Sequence, residues 1–267
     1  DTTGGSQPTF YLDAIQLLPG VAPTPAPPGS GPALRIDAGA DRLAINPYIY
    51  GMNFASAAMA AELRLPLNRW GGNSTTRYNW QIDVSNRAAD WFFENIPNDV
   101  ADVSRLPLGS SADVFVRDNE AANTESAITL PLIGWTPKDR VYATCGFSVA
   151  LYGAQQSTDP YKADCGNGVR PNGSLITGNN PRDTSLPIDE RWVQDWVRHL
   201  SSQFGTAGSG GVRYYFMDNE PSLWHHTHRD VRPQPLGSLE LRDLTIRYGA
   251  AVKAVDPAAQ LFGPAEW

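Results

Sequence analysis

Val212-Arg213-Tyr214-Tyr215-Phe216-Met217-Asp218-Asn219-Glu220-Pro221 runs from an apolar segment straight into three polar side chains and a proline. Residues 212–217 are rich in β-branched and aromatic side chains and read as a strand. A carboxylate carried at the end of a strand is where a barrel keeps its catalytic groups.

The flanks decide what surrounds this strand. Upstream, Trp192, Val193, Trp196, Val197, Leu200 and Phe204 recur at three- and four-residue steps, which predicts a helix over 188–204 stopped by Gly205. Downstream, Leu241, Leu244, Tyr248, Ala251, Val252 and Val255 predict a helix over 238–255, with Pro257 beyond it. Residues 261–264, 127–133 and 65–70 read as strands, and 48–54 as a buried strand. Residues 34–36 and 42–45 are short strand candidates, while 56–63 and 111–125 read as helices. Five strand–helix steps argue for an α/β protein with a parallel sheet and crossover helices. A closed barrel needs about eight such steps, so the chain reads as truncated after about five strands. A complete open sheet is the alternative, but no G-x-G-x-x-G or G-x-x-x-x-G-K-[ST] motif marks a nucleotide site.

The N-terminal end is different in kind. Phe10-Tyr11-Leu12-Asp13-Ala14-Ile15-Gln16-Leu17 alternates like a single strand, and a lone strand is not stable. Residues 1–18 resemble the last strand of an upstream β-sandwich of the carbohydrate-binding kind, with a terminal strand of the main domain as the alternative. Residues 19–32, rich in proline and glycine, read as a semi-rigid linker. Residues 33–267 form the main domain. The chain has no signal peptide at its start, so residue 1 reads as a cut inside a longer precursor.

Composition narrows the partners. Of 267 residues, 41% are hydrophobic and 18% charged, as in ordinary globular domains, and the formal charge of −7 argues against a nucleic-acid partner. No run of 18 apolar residues is present to span a membrane. The 8 Trp, 10 Tyr and 9 Phe offer flat faces on which sugar rings stack, with core packing as the competing use for each.

The strand ends carry Asn53, then Arg69-Trp70-Gly71-Gly72-Asn73, then Trp135, then Asp218-Asn219-Glu220, then Glu266-Trp267. Asn and Glu hydrogen-bond hydroxyls, and Trp stacks on rings, so this set suits a sugar. Glycoside hydrolysis needs one carboxylic acid to protonate the leaving oxygen and a second carboxylate across the bond. Glu220, at a crowded strand end, is the candidate acid/base; desolvation there favours the protonated form. Asn219 beside it is placed to hold a sugar hydroxyl. A carboxylate at a helix start is the competing use of Asn219-Glu220-Pro221.

Asp218-Asn219-Glu220-Pro221-Ser222-Leu223-Trp224-His225-His226-Thr227-His228-Arg229-Asp230-Val231 resembles the acid/base segment of glycoside hydrolase family 44. Tyr50-Gly51-Met52-Asn53-Phe54 and Leu67-Asn68-Arg69-Trp70-Gly71-Gly72-Asn73-Ser74-Thr75-Thr76-Arg77-Tyr78-Asn79-Trp80 resemble its first two strand ends. The resemblance covers roughly 34–267. It implies a (β/α)8 TIM-type barrel with an attached β-sandwich, and retaining endo-hydrolysis of β-1,4-glucans, including carboxymethylcellulose and xyloglucan. It carries Glu220 over as acid/base and Asn219 as its neighbour. Asn53, Arg69, Trp70, Asn73, Trp224, His228 and Glu266 are the candidate substrate-binding residues. The family's nucleophile, a Glu on a later strand, has no counterpart before Trp267, so the chain by itself is expected to be inactive. Glu266 is assigned to substrate binding or structure rather than to that role. The implied protein is secreted, works on a β-glucan polysaccharide and is a monomer at full length. Other β-glycanases, a mannanase or xylanase, follow the same logic, and a carbohydrate-binding module is the non-enzymatic alternative.

Cys145 and Cys165 share the loop-like segment 144–178, and a disulfide between them fits an oxidising compartment. His225, His226 and His228 read as loop histidines, His228 supporting the acid/base, rather than as a zinc site. Asp83, Asp90, Glu94, Asp99 and Asp102 offer oxygen ligands of the type a structural calcium ion takes, although their spacing matches no EF-hand loop. The metal identity stays open, and the hydrolytic chemistry itself requires no cofactor.

Overall fold

Five short strands make one sheet, all parallel and in chain order: β1 (Gly51–Asn53), β2 (Leu67–Trp70), β3 (Glu125–Leu130), β4 (Tyr214–Met217) and β5 (Gln260–Phe262). The computed structural model describes residues 39, 43–142 and 144–266, and Ile45–Trp267 forms one compact unit. The expected strand at 10–17, the linker at 19–32 and the candidate strand at 34–36 lie outside the described residues. Residues 43–45 form no strand. A parallel sheet with long crossover helices rules out the β-sandwich of a binding module for this unit.

Four helices make the crossovers. α1 (Ala57–Leu63) starts where the Ser56 hydroxyl accepts from the Met59 amide, and α2 (Ser111–Ala121) starts on Ser110 in the same way. α3 (Glu190–Phe204) starts on Asp189, whose carboxylate accepts from the Arg191 and Trp192 amides, and stops at Gly205, held at φ +88°. α4 (Ser238–Val255) packs alongside α3; the Gln194 side chain of α3 donates to the Ala251 carbonyl of α4 at 3.1 Å. Val193, Trp196, Val197 and Leu200 of α3 are the buried face the periodicity predicts, and they meet Ile128, Leu130, Tyr215 and Met217 of the sheet in the main core.

Two expectations are corrected here. Residues 48–54 are not a buried strand. Asn46 accepts from the Tyr48 amide and Pro47 opens a short 3-10 turn, Pro47–Ile49, so only Gly51–Asn53 pairs, and it is exposed at the sheet edge. The helix expected over 111–125 ends at Ala121, because Asn123 takes a left-handed φ of +54° and turns the chain into β3.

Between these elements lie short antiparallel pieces that periodicity did not reveal. Tyr78–Asn79, Val84–Asn86 and Asn95–Pro97 form a three-stranded set; Trp135–Pro137 pairs with Ser185–Pro187; Thr158–Asp159 pairs with Lys162–Gly166. Cys145 and Cys165 are joined by a disulfide with Cα atoms 5.6 Å apart, beside a small core of Phe93, Phe147 and Ile176. No helix among the described residues is long and apolar enough to cross a membrane.

Candidate active site

Parallel register brings the ends of all five strands to one edge. Asn53 pairs with Arg69, Trp70 with Ile128, Met217 with Leu130, and Phe216 with Phe262. The polar residues that follow these strands therefore face one another across the edge.

β4 leaves regular backbone abruptly. Asp218 and Glu220 both have left-handed φ, +75° and +45°, a conformation that costs a non-glycine residue of order 1 kcal/mol or more each. The turn is fixed on its far side by the segment after β5: the Glu220 amide donates to the Ala265 carbonyl at 2.8 Å, and the Ala265 amide to the Asp218 carbonyl at 3.1 Å. It leaves the Glu220 side chain half-buried at the strand end.

Asn219 is the hub. Its Oδ1 accepts from Arg69 Nη2 at 2.9 Å, its Nδ2 donates to Glu220 Oε2 at 3.2 Å, and the same Nδ2 lies 3.5 Å from Asn73 Oδ1. Asn73 in turn donates to Asp90 Oδ2 at 3.1 Å. Arg69 lies over the Phe216 ring, its guanidinium carbon 5.0 Å from the ring centre, and burial lowers its pKa while Glu220 and Asp218 act to raise it. Gly71 is required for this pose, since a Cβ there would sit 2.3 Å from the Arg69 guanidinium. Asn53 joins the same wall by donating to the Gly71 carbonyl at 3.1 Å.

The structure thus brings Asn53, Arg69, Asn73, Asn219 and Glu220 together. Three other candidates are interior residues. Trp70 belongs to the core, with Phe54, Tyr78 and Phe115 around its ring. Trp224 is buried, and its indole Nε1 donates to the Asn219 carbonyl at 3.0 Å, so it supports the turn rather than presenting a face to a sugar. His228 is completely buried beside the Arg77–Asp230 ion pair, and burial together with Arg77 holds its pKa well below the usual histidine range. Glu266 is exposed, and its two oxygens accept from the Ser222 amide and hydroxyl at 3.2 and 2.6 Å.

The acidic residues of 83–102 go to separate partners. Asp83 accepts from Tyr78, Asn98 and Ser111; Asp102 caps Ser104; Glu94 faces Lys162 Nζ at 3.6 Å. Among the described residues no three His, Cys, Asp or Glu side chains gather as a metal cluster. Sequence reasoning missed Asp218 and Thr76. Both lie in the quoted segments, but only the fold puts the Thr76 hydroxyl 2.6 Å from the Asp218 carboxylate.

The model of the family described as "Glycoside hydrolase family 44" matches residues 84–267. The chain belongs to glycoside hydrolase family 44. Among solved family structures it is similar to CelM2, a bifunctional glucanase-xylanase from a metagenome library, at 45% identity and a TM-score of 0.79, over 84% of this chain and 43% of that one. It is similar to a Paenibacillus polymyxa family 44 xyloglucanase solved with xyloglucan, at 29% identity and a TM-score of 0.60, over 82% of this chain and 41% of that one. Among curated proteins, "Beta-mannanase/endoglucanase A" of Caldicellulosiruptor saccharolyticus is 29% identical over 242 residues, covering 88% of this chain and 17% of that protein. The chain therefore spans less than half the length of these family relatives.

Proposed function

We propose that this chain carries the proton-donating half of a retaining endo-β-1,4-glucanase, with Glu220 as general acid in the first step and general base in the second. The observation that carries the reading is the Glu220 carboxyl, half-buried at a parallel-strand end and held through Asn219 to Arg69. A protonated Glu220 gives its proton to the glycosidic oxygen as that bond breaks; a carboxylate nucleophile takes the anomeric carbon from the opposite face. Glu220 then removes a proton from the water that releases the sugar, so configuration is retained. Asn219 is the group placed to bind the adjacent sugar hydroxyl.

The nucleophile is assigned to a further strand of a (β/α)8 barrel that this sheet begins. Glu266 is not assigned to it, because its two oxygens are already engaged by Ser222. The proposed substrate is a β-1,4-glucan, cellulose-type or xyloglucan, which agrees with the activities named for the family relatives. A xylanase or mannanase activity alongside it is the second reading, favoured by the bifunctional names of two of them. The chemistry rests on two carboxylates and needs no metal. The Cys145–Cys165 disulfide supports a secreted protein.

Glu220→Gln tests the reading. In the longest natural form of the protein, turnover of carboxymethylcellulose or xyloglucan should fall by about 100-fold or more, the scale of general acid catalysis. Aryl glycosides with good leaving groups should lose less, since they need little protonation. Equal losses on both substrate classes would remove Glu220 from the acid role.

A further inference from the structure

We propose that Asp218 is a positioning residue for the proton donor: one buried carboxyl that ties together the segments following β2, β3 and β4, and so sets Asn219 and Glu220 in place. The inference rests on the reading of Glu220 as the general acid.

Asp218 is completely buried. A buried carboxylate is costly unless donors surround it. Here they come from three different strand ends. Oδ1 accepts from Thr76 Oγ1 at 2.6 Å, at the end of the one-turn helix Asn73–Thr76 that follows β2, and from the Asn219 amide at 2.7 Å, after β4 itself. Oδ2 accepts from the Leu132 amide at 2.5 Å, from the loop after β3. It forms no ion pair among the described residues, so directed donors rather than a countercharge hold it.

A carboxylate that only filled space would not require this pattern. The two left-handed residues, Asp218 and Glu220, flank Asn219 and turn its side chain back toward Arg69 and the Glu220 carboxyl. That kink needs a restraint on its inner side. The Asp218 bond to the Asn219 amide supplies it, and the bonds to Thr76 and Leu132 anchor the carboxylate that makes it. The Trp224 indole, on the Asn219 carbonyl, restrains the next peptide of the same turn, Asn219–Glu220. Three hydrogen bonds from separate segments fix the orientation of this one carboxyl, and geometry at a catalytic centre is unforgiving of small displacements.

Asp218→Asn keeps size and shape but turns one acceptor oxygen into an NH2 group that must face the Thr76 hydroxyl or the N–H of Leu132. Thr76→Val keeps volume and removes one donor only. Both are compared with wild type and Glu220→Gln in the longest natural form of the protein. The readouts are kcat and KM on xyloglucan and on an aryl β-glycoside with a good leaving group. On the polymer we expect Asp218→Asn to lower kcat about 100-fold and Thr76→Val about 5–10-fold, each with KM nearly unchanged, because general acid catalysis is impaired and binding is not. On the activated glycoside both losses should shrink, as for Glu220→Gln. If Asp218→Asn does not fold, Thr76→Val carries the test. Losses equal on both substrates, or confined to KM, or absent in Thr76→Val, overturn the positioning role while a leaving-group effect in Glu220→Gln leaves the acid assignment intact. No such effect in Glu220→Gln overturns the acid assignment, and this inference with it.

Discussion

At the scale of single residues, the site is built by polar side chains that hold one another in place. Arg69 is the clearest case, because it sits over the Phe216 ring and also donates to Asn219. Its pose depends on a missing side chain, Gly71, whose Cβ would fall 2.3 Å from the guanidinium. Gly71→Ala should therefore act through Arg69. A hydrogen bond from a charged donor is worth about 1.5–3 kcal/mol, so Gly71→Ala and Arg69→Ala should each lower kcat/KM on glucan about 10–100-fold. The double variant should add little to either, since both remove the same contact. Fully additive losses would show that Gly71 matters for another reason. This scale also marks where the sequence was legible. Glu220, Asn219, Arg69 and Asn73 stood out because strand ends in an alternating α/β pattern point to one edge. Trp224 and His228 were misjudged as sugar contacts because adjacency to Glu220 in sequence says nothing about which way a ring turns. Asp218 was passed over because its meaning depends on Thr76, 142 residues away, and on the Leu132 amide.

At the scale of elements, legibility follows repetition. α3 and α4 were readable because helices this long repeat their apolar stripe several times and carry their own stops, Gly205 and the Asp256-Pro257 pair. β1 was not, because three exposed residues at an edge offer no repeat, and Asn46-Pro47 had already turned the chain. The lobe around 144–178 had no periodicity at all, yet its cysteines announced a closure that the structure bears out. There Arg229 ties the lobe to the acid/base segment, donating to the Asn167 and Ile176 carbonyls and lying 4.3 Å above Phe147. Closing a loop of this size stabilises a chain by about 3 kcal/mol in the chain-entropy view. Replacing Cys145 and Cys165 together by serine should open the lobe locally, and limited proteolysis should then cut within 144–178 while the sheet and α3 stay protected. Cleavage spread evenly over the domain would instead mean that the disulfide holds the whole fold. By contrast, Trp196→Ala in α3 should cost about 3–5 kcal/mol globally, read as a lower denaturation midpoint, because its ring is fully buried against Tyr78 and the sheet.

At the scale of the whole molecule, three buried ionisable groups set how stability depends on pH, and they do not pull the same way. Burial pushes the Asp218 carboxyl up to about 7, against the donors that favour its charged form. Burial, reinforced by Asp159 and partly offset by Lys162, pushes Glu94 up to about 8. Both groups hold a proton in the folded protein that the unfolded chain has already released, so folding loses stability as pH rises from the ordinary carboxyl range through those values. His228 works in the opposite sense. Burial beside Arg77 keeps it neutral, while the unfolded chain takes up a proton below about 6.5, so stability falls as pH drops through that value. The contributions oppose one another below about 6.5. Of these three groups only the carboxyls still titrate from there to about 8, and the melting temperature should fall as pH is raised across that window. Glu94→Gln removes the group that titrates highest, so its melting temperature should flatten in the upper half of the window, between about 7 and 8, while wild type continues to fall. Thermal melts followed by circular dichroism at pH 6.5, 7.25 and 8, at constant ionic strength, make the measurement. A wild-type melting temperature that rises with pH across the window would reverse the sign for both carboxyls and place their charged forms, not their neutral ones, in the stable fold.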